Sequence, residues 1–155
     1  MQRRPIIAGA VSLVTLLITM PVAAQTKPAQ PTPTARPAAA GAADRSVTVT
    51  YKGKGTVDAA HDLIVFAFSS PDVNANSRPL GTQYITKNGG TATFTGLSDP
   101  VYFFVVYDQA GNYDGRSGPP AAGTPVAMYS LKGKPAEVKA GARVKMTMDD
   151  TRGWK

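Results

Sequence analysis

The stretch PVYFFVVYD, Pro100–Asp108, decides the fold. Between the proline and the aspartate every residue is valine, tyrosine or phenylalanine, the β-branched and aromatic types that suit a pleated surface. It reads as a central β-strand. DLIVFAF, Asp62–Phe68, has the same character. Around these two runs the pattern becomes alternating. Val47, Val49 and Tyr51 alternate with Thr48, Thr50 and Lys52, the period of a half-buried strand, which puts Lys52 in water. LGTQYIT (Leu80–Thr86) is a weaker strand, closed by the turn KNGG at Lys87–Gly90. TATFTGL (Thr91–Leu97) places Ala92, Phe94 and Gly96 on one face. TPVAMYSLKG (Thr124–Gly133) is a further strand. In ARVKMTMDD (Ala142–Asp150), Val144, Met146 and Met148 alternate with Lys145 and Thr147. Seven strands separated by Gly, Pro, Asn and Asp clusters predict an all-β chain, a seven-stranded Greek-key β-sandwich over residues 45–155. A barrel is the alternative that periodicity does not separate from it.

Upstream of that domain the chain changes character. Arg3 and Arg4 precede an uncharged apolar stretch, Ile6–Met20, then Pro21 and the small residues of Val22-Ala23-Ala24. An apolar core of about 15 residues is short of the roughly 20 that span a bilayer as a helix. Residues 1–24 therefore read as a signal peptide cut after Ala24, with no stable membrane insertion afterwards. The expected location is periplasmic or secreted. Residues 25–44, QTKPAQPTPTARPAAAGAAD, hold almost no large apolar side chain and read as a disordered Pro/Ala-rich linker.

Composition narrows the chemistry. The chain has no cysteine, which excludes disulfides, thiol catalysis and thiolate metal sites. His61 is the single histidine, which excludes a multi-histidine metal site, and its sequence context reads as a surface loop. The formal charge is +7 from 17 Lys and Arg against 10 Asp and Glu; losing Arg3 and Arg4 leaves +5. The cations are scattered singly, without a basic run interleaved with aromatics, so nucleic acid is not an expected partner. No nucleophile motif such as GxSxG accompanies the serines.

HDLIVFAFSSP, NGGTATFTGL, PVYFFVVYDQAGNYDG and GTPVAMYS together resemble the prealbumin-like group of exported bacterial sandwiches, which includes carboxypeptidase regulatory-like and transthyretin-like domains. The resemblance covers most of residues 46–150. It implies an accessory or interaction module without its own catalysis. The hydrolase branch of the transthyretin-like group uses two histidines and a C-terminal Tyr-Arg-Gly-Ser. This chain has His61 alone and ends TRGWK, so that activity is not carried over.

The long loop after the central strand, YDQAGNYDGRSGPPAAGTPVAMY (Tyr107–Tyr129), is the candidate site. Asp108, Asn112 and Asp114 are oxygen donors in the glycine-containing run DQAGNYDG, and Asp149 or Asp150 at the end of the last strand adds a possible fourth. Calcium takes six to eight oxygens, and this run lacks donors at the third and twelfth positions of an EF-hand loop. The same residues are standard turn-formers, and Asp108 can cap the turn through its carboxylate. Tyr113 and Trp154 are candidate ligand or partner contacts, although Trp154 also suits a role as a staple of the C-terminus. Tyr107 and Tyr129 bracket the loop. The expected function is a non-enzymatic interaction or accessory module of the bacterial envelope, with an envelope protein or a polysaccharide as partner. The alternative is a Ca²⁺- or carbohydrate-binding domain using the 108–114 loop.

Overall fold

The computed structural model describes residues 43–155. The expected signal peptide and all but the end of the linker lie outside the described residues. Among those described there are nine strands and no helix: β1 Arg45–Tyr51, β2 Leu63–Phe68, β3 Gly81–Ile85, β4 Thr91–Phe94, β5 Tyr102–Tyr107, β6 Val126–Met128, β7 Ser130–Leu131, β8 Lys134–Pro135 and β9 Arg143–Met148. They form a three-stranded sheet, β4-β1-β9, a four-stranded sheet, β3-β2-β5-β6, and a small β7-β8 hairpin. The architecture is all-β and sandwich-like.

Each sheet contributes one face to a shared core. Val47, Val49 and Tyr51 of β1 stand beside Ala92 and Phe94 of β4 and Met146 and Met148 of β9. They pack against Leu63, Val65, Ile85, Phe103, Val105 and Tyr107 of the other sheet. Two ring pairs bridge the layers, Phe94–Phe103 at 5.1 Å and Tyr51–Tyr107 at 4.2 Å between centroids. β1 pairs antiparallel with β4, matching Val47 to Ala92. It pairs parallel with β9, matching Val47 to Val144 and Tyr51 to Met148. Register here is fixed by burial, since a one-residue slip would turn every apolar side chain of β1 outward. Lys52 is exposed, as its phase requires.

Two local expectations are corrected. Gly96 does not share the face of Ala92 and Phe94, because β4 ends at Phe94 and Gly96 turns away with φ of 67°. The stretch Thr124–Gly133 is not one strand. It breaks after Met128, and Ser130–Leu131 folds back on Lys134–Pro135. Lys132 and Gly133 have φ of 52° and 78°, the doubly positive geometry of a two-residue hairpin turn.

Arg45 lies in phase with Val47, Val49 and Tyr51 and is buried with them, 1% exposed. Its Nε donates to the Val138 carbonyl at 2.9 Å and its Nη1 to the Leu97 carbonyl at 2.7 Å. The same guanidinium pairs with Asp99, which is 51% exposed. A buried charge persists where its donors are occupied, and here it ties three chain segments together at one end of the core.

β2 is buried along its whole length and β5 along all but its first residue. Their inward residues belong to the shared core. Ile64, Phe66, Phe68, Phe104 and Val106 point the other way and form a second apolar cluster. Among the described residues nothing helical covers it. Val73, Tyr113 and Trp154, from the β2–β3 loop, the β5–β6 loop and the C-terminal tail, pack over it instead.

Candidate functional site

The β5–β6 loop is built from its first residue. Asp108 is buried at the end of β5, and its amide donates to the Asp62 carbonyl at 2.9 Å. Its carboxylate accepts the amides of Asn112 at 3.2 Å and Tyr113 at 3.1 Å. That arrangement is a side-chain cap on a tight turn. Asp114 closes a second turn in the same way. It accepts the amides of Arg116 and Ser117 and the Ser117 hydroxyl, each at 2.8 Å. The Arg116 amide is the main influence holding its carboxyl below the usual carboxylate range.

Between these turns the loop descends onto the sheet. Gly115 has φ of 68°, and a Cβ there would meet Phe66 at 3.0 Å and Ile64 at 3.1 Å. Only glycine allows this close approach in this conformation. The Tyr84 hydroxyl donates to the Asp114 carbonyl and the Tyr113 hydroxyl to that of Gly118, both at 2.9 Å. Burial, aided by the charge of Asp114, pushes the Tyr113 phenol up to about 12.

The tail supplies the other clasp. The Trp154 amide donates to the Thr124 carbonyl, while the Trp154 carbonyl accepts from Gly123 and that of Arg152 from Val126, all at 2.9 Å. Gly153 bridges to Pro125. The tail thus adds a partial strand to the edge of β6. The indole then meets Phe104 edge-on, with centroids 6.0 Å apart and planes at 75°.

What results is an open cleft of about 350 Å³ on the outer face of the four-stranded sheet. Phe66, Phe68 and Phe104 form its floor, and Val73, Tyr113 and Trp154 stand around it. Arg78 from one loop and Arg116 from the other also line it, beside the polar Asn74, Ser77 and Thr82, and among the described residues no carboxylate does. Tyr113 and Trp154, the two residues expected from sequence as contacts, meet in this one place.

The expected metal donors are arranged otherwise. Asp108 and Asp114 serve turns within one loop, and Asn112 gives its amide to the first of them. Asp149 accepts the amide and hydroxyl of Thr151, at 3.0 and 2.5 Å. Asp150 accepts the Tyr51 hydroxyl and the Lys54 amide. Among the described residues no three histidine or acidic side chains converge to hold a metal. His61 sits in a turn with Nδ1 at 3.1 Å from Asp58. Tyr107 is in the shared core and Tyr129 packs at its margin.

Sequence reasoning did not mark Arg78, Arg116 or the phenylalanine floor. The available signal was phase: Phe66 and Phe68 alternate with the core residues Val65 and Ala67, so they had to face a second apolar surface. No family model matches this chain and no curated protein matches it. The likeness to prealbumin-like domains therefore rests on strand pattern.

Proposed function

We propose that this chain is a non-enzymatic interaction module of the bacterial envelope. It docks a partner protein on the outer face of the four-stranded sheet. In this reading residues 1–24 export the chain, residues 25–44 tether it, and the strands from β1 to β9 act as a prealbumin-like, seven-stranded Greek-key sandwich with an added hairpin. The observation that carries the reading is an aromatic sheet face covered, among the described residues, by loop and tail and opening into a cleft. A cleft with buried aromatic rings at its base and polar and charged residues around it suits a protein side chain. A polysaccharide would be favoured by a row of exposed flat rings, whereas the floor rings here are buried and tilted or edge-on to one another. Calcium would be favoured by converging carboxylates, whereas these carboxylates cap their own turns.

The test is photo-crosslinking in the native envelope. A photoreactive phenylalanine replaces Tyr113 in one variant and Thr48, on the outer face of the opposite sheet, in another. A discrete adduct from position 113 and none from position 48 supports the reading. Equal labelling from both positions, or none, overturns it.

A further inference from the structure

We propose that the occupant of the cleft is an acidic segment of the partner protein, one aromatic or branched apolar side chain flanked by carboxylates. This rests on the reading of the cleft as a docking site and assigns the chemistry of what docks.

Two observations carry it. The floor is largely aromatic, built from Phe66, Phe68 and Phe104 with Thr82 beside Phe66, so an apolar side chain suits it. Among the described residues the only charged ones in the lining are Arg78 and Arg116, from the β2–β3 and β5–β6 loops. Both are exposed, and neither forms an ion pair among the described residues. The acid nearest in sequence, Asp114, spends its oxygens on the amides of Arg116 and Ser117 and on the Ser117 hydroxyl. A guanidinium presents planar, forked donors that match a carboxylate. An apolar floor with arginines in its walls therefore selects an apolar side chain with acids beside it. The net positive charge of the chain adds long-range attraction for such a segment. The volume of about 350 Å³ suits one large side chain and its neighbours rather than an extended polymer.

The cleft also contains its own reporter. Trp154 is the single tryptophan of the chain. Its emission is recorded while the full chain is titrated with acetyl-Asp-Phe-Glu-amide, with the neutral isostere acetyl-Asn-Phe-Gln-amide, and with an oligogalacturonate. The expected result is a saturable change with the acidic peptide, weakened by added salt, and a much weaker one with the isostere. The variant Arg78→Gln/Arg116→Gln should bind the acidic peptide about tenfold more weakly while keeping the unfolding midpoint of the parent. Equal binding of the two peptides overturns the acidic assignment but leaves the cleft a docking site. A response to the oligogalacturonate alone gives the cleft to an acidic polysaccharide and overturns the protein assignment. No response from any of the three overturns both.

Discussion

Arg45 and Asp99 form one ion pair, yet their removal should differ sharply in cost. Arg45 is 1% exposed and Asp99 is 51% exposed. Replacing Arg45 by methionine keeps an unbranched chain in the core but removes the donors to the Val138 and Leu97 carbonyls. Hydrogen bonds to a charged group contribute about 1.5–3 kcal/mol each, and the desolvation of the guanidinium is recovered in part. Arg45→Met should therefore cost about 3 kcal/mol, a large part of the 5–15 kcal/mol that typically holds a domain together. Asp99→Asn leaves an oxygen acceptor in place at a half-exposed position and should cost less than about 1 kcal/mol. Urea unfolding of both variants and the parent measures this, with equal m-values required for the comparison. Equal losses for the two variants would show that the ion pair, not the two carbonyls, is what Arg45 contributes. A loss below about 1 kcal/mol for Arg45→Met would refute the argument entirely.

Further outcomes follow from the loop and the tail. Gly115→Ala meets both a positive φ and the Phe66 ring, and should lower stability by more than about 1 kcal/mol in the same assay. Asp108→Ala leaves the Asn112 and Tyr113 amides without their acceptor; a loss of about 1–3 kcal/mol is expected, with faster amide exchange at both positions. Tyr113 should ionise near pH 12 rather than at the ordinary 10.0 in an ultraviolet titration corrected with Tyr113→Phe. Its folded-state value lies above its unfolded one, so its contribution to stability is intact below pH 10.0 and is lost as pH rises towards about 12. Millimolar calcium added after chelation should leave the thermal midpoint unchanged. A gain of about 2.7 kcal/mol at a hundredfold excess over the dissociation constant would restore the calcium reading of the 108–114 loop.

Legibility in the sequence followed the strength of each local constraint. β1 and β9 announce themselves because one face of each is buried and the other is wet, which writes a period of two into Arg45–Tyr51 and Arg143–Met148. β2 and β5 are equally plain as strands. Their continuous apolar character hides what covers the outer face, because a loop and a second layer demand the same residues of the strand beneath. The break at Tyr129 was not legible, since TPVAMYSLKG has strand-forming residues on both sides of it and the turn sits on Lys132, an unusual residue for positive φ. Asp108 carried both meanings from the start: a carboxylate before glycine and asparagine suits a cation or a cap, and its acceptance of two loop amides is what the sequence alone does not display. Arg45 was the missed clue. A charge in phase with Val47 and Val49 can be accommodated only if buried acceptors await it. Tyr113 and Trp154 were visible singly as aromatics; their meeting depended on a tail that crosses to the edge of β6.

The parallel pairing of β1 with β9 also bears on when this domain can exist. The first strand of the domain finds that neighbour only after almost all of the intervening chain has been made, and Trp154 reaches its place later still. Contacts so distant in sequence form slowly, because loop closure precedes any reward. A partly synthesised chain has β1 with one edge open and the aromatic face of β2 and β5 without its clasp. The last residues of the domain are thus the ones that close it, and a chain cut short of β9 lacks both the parallel neighbour of β1 and the indole over Phe104.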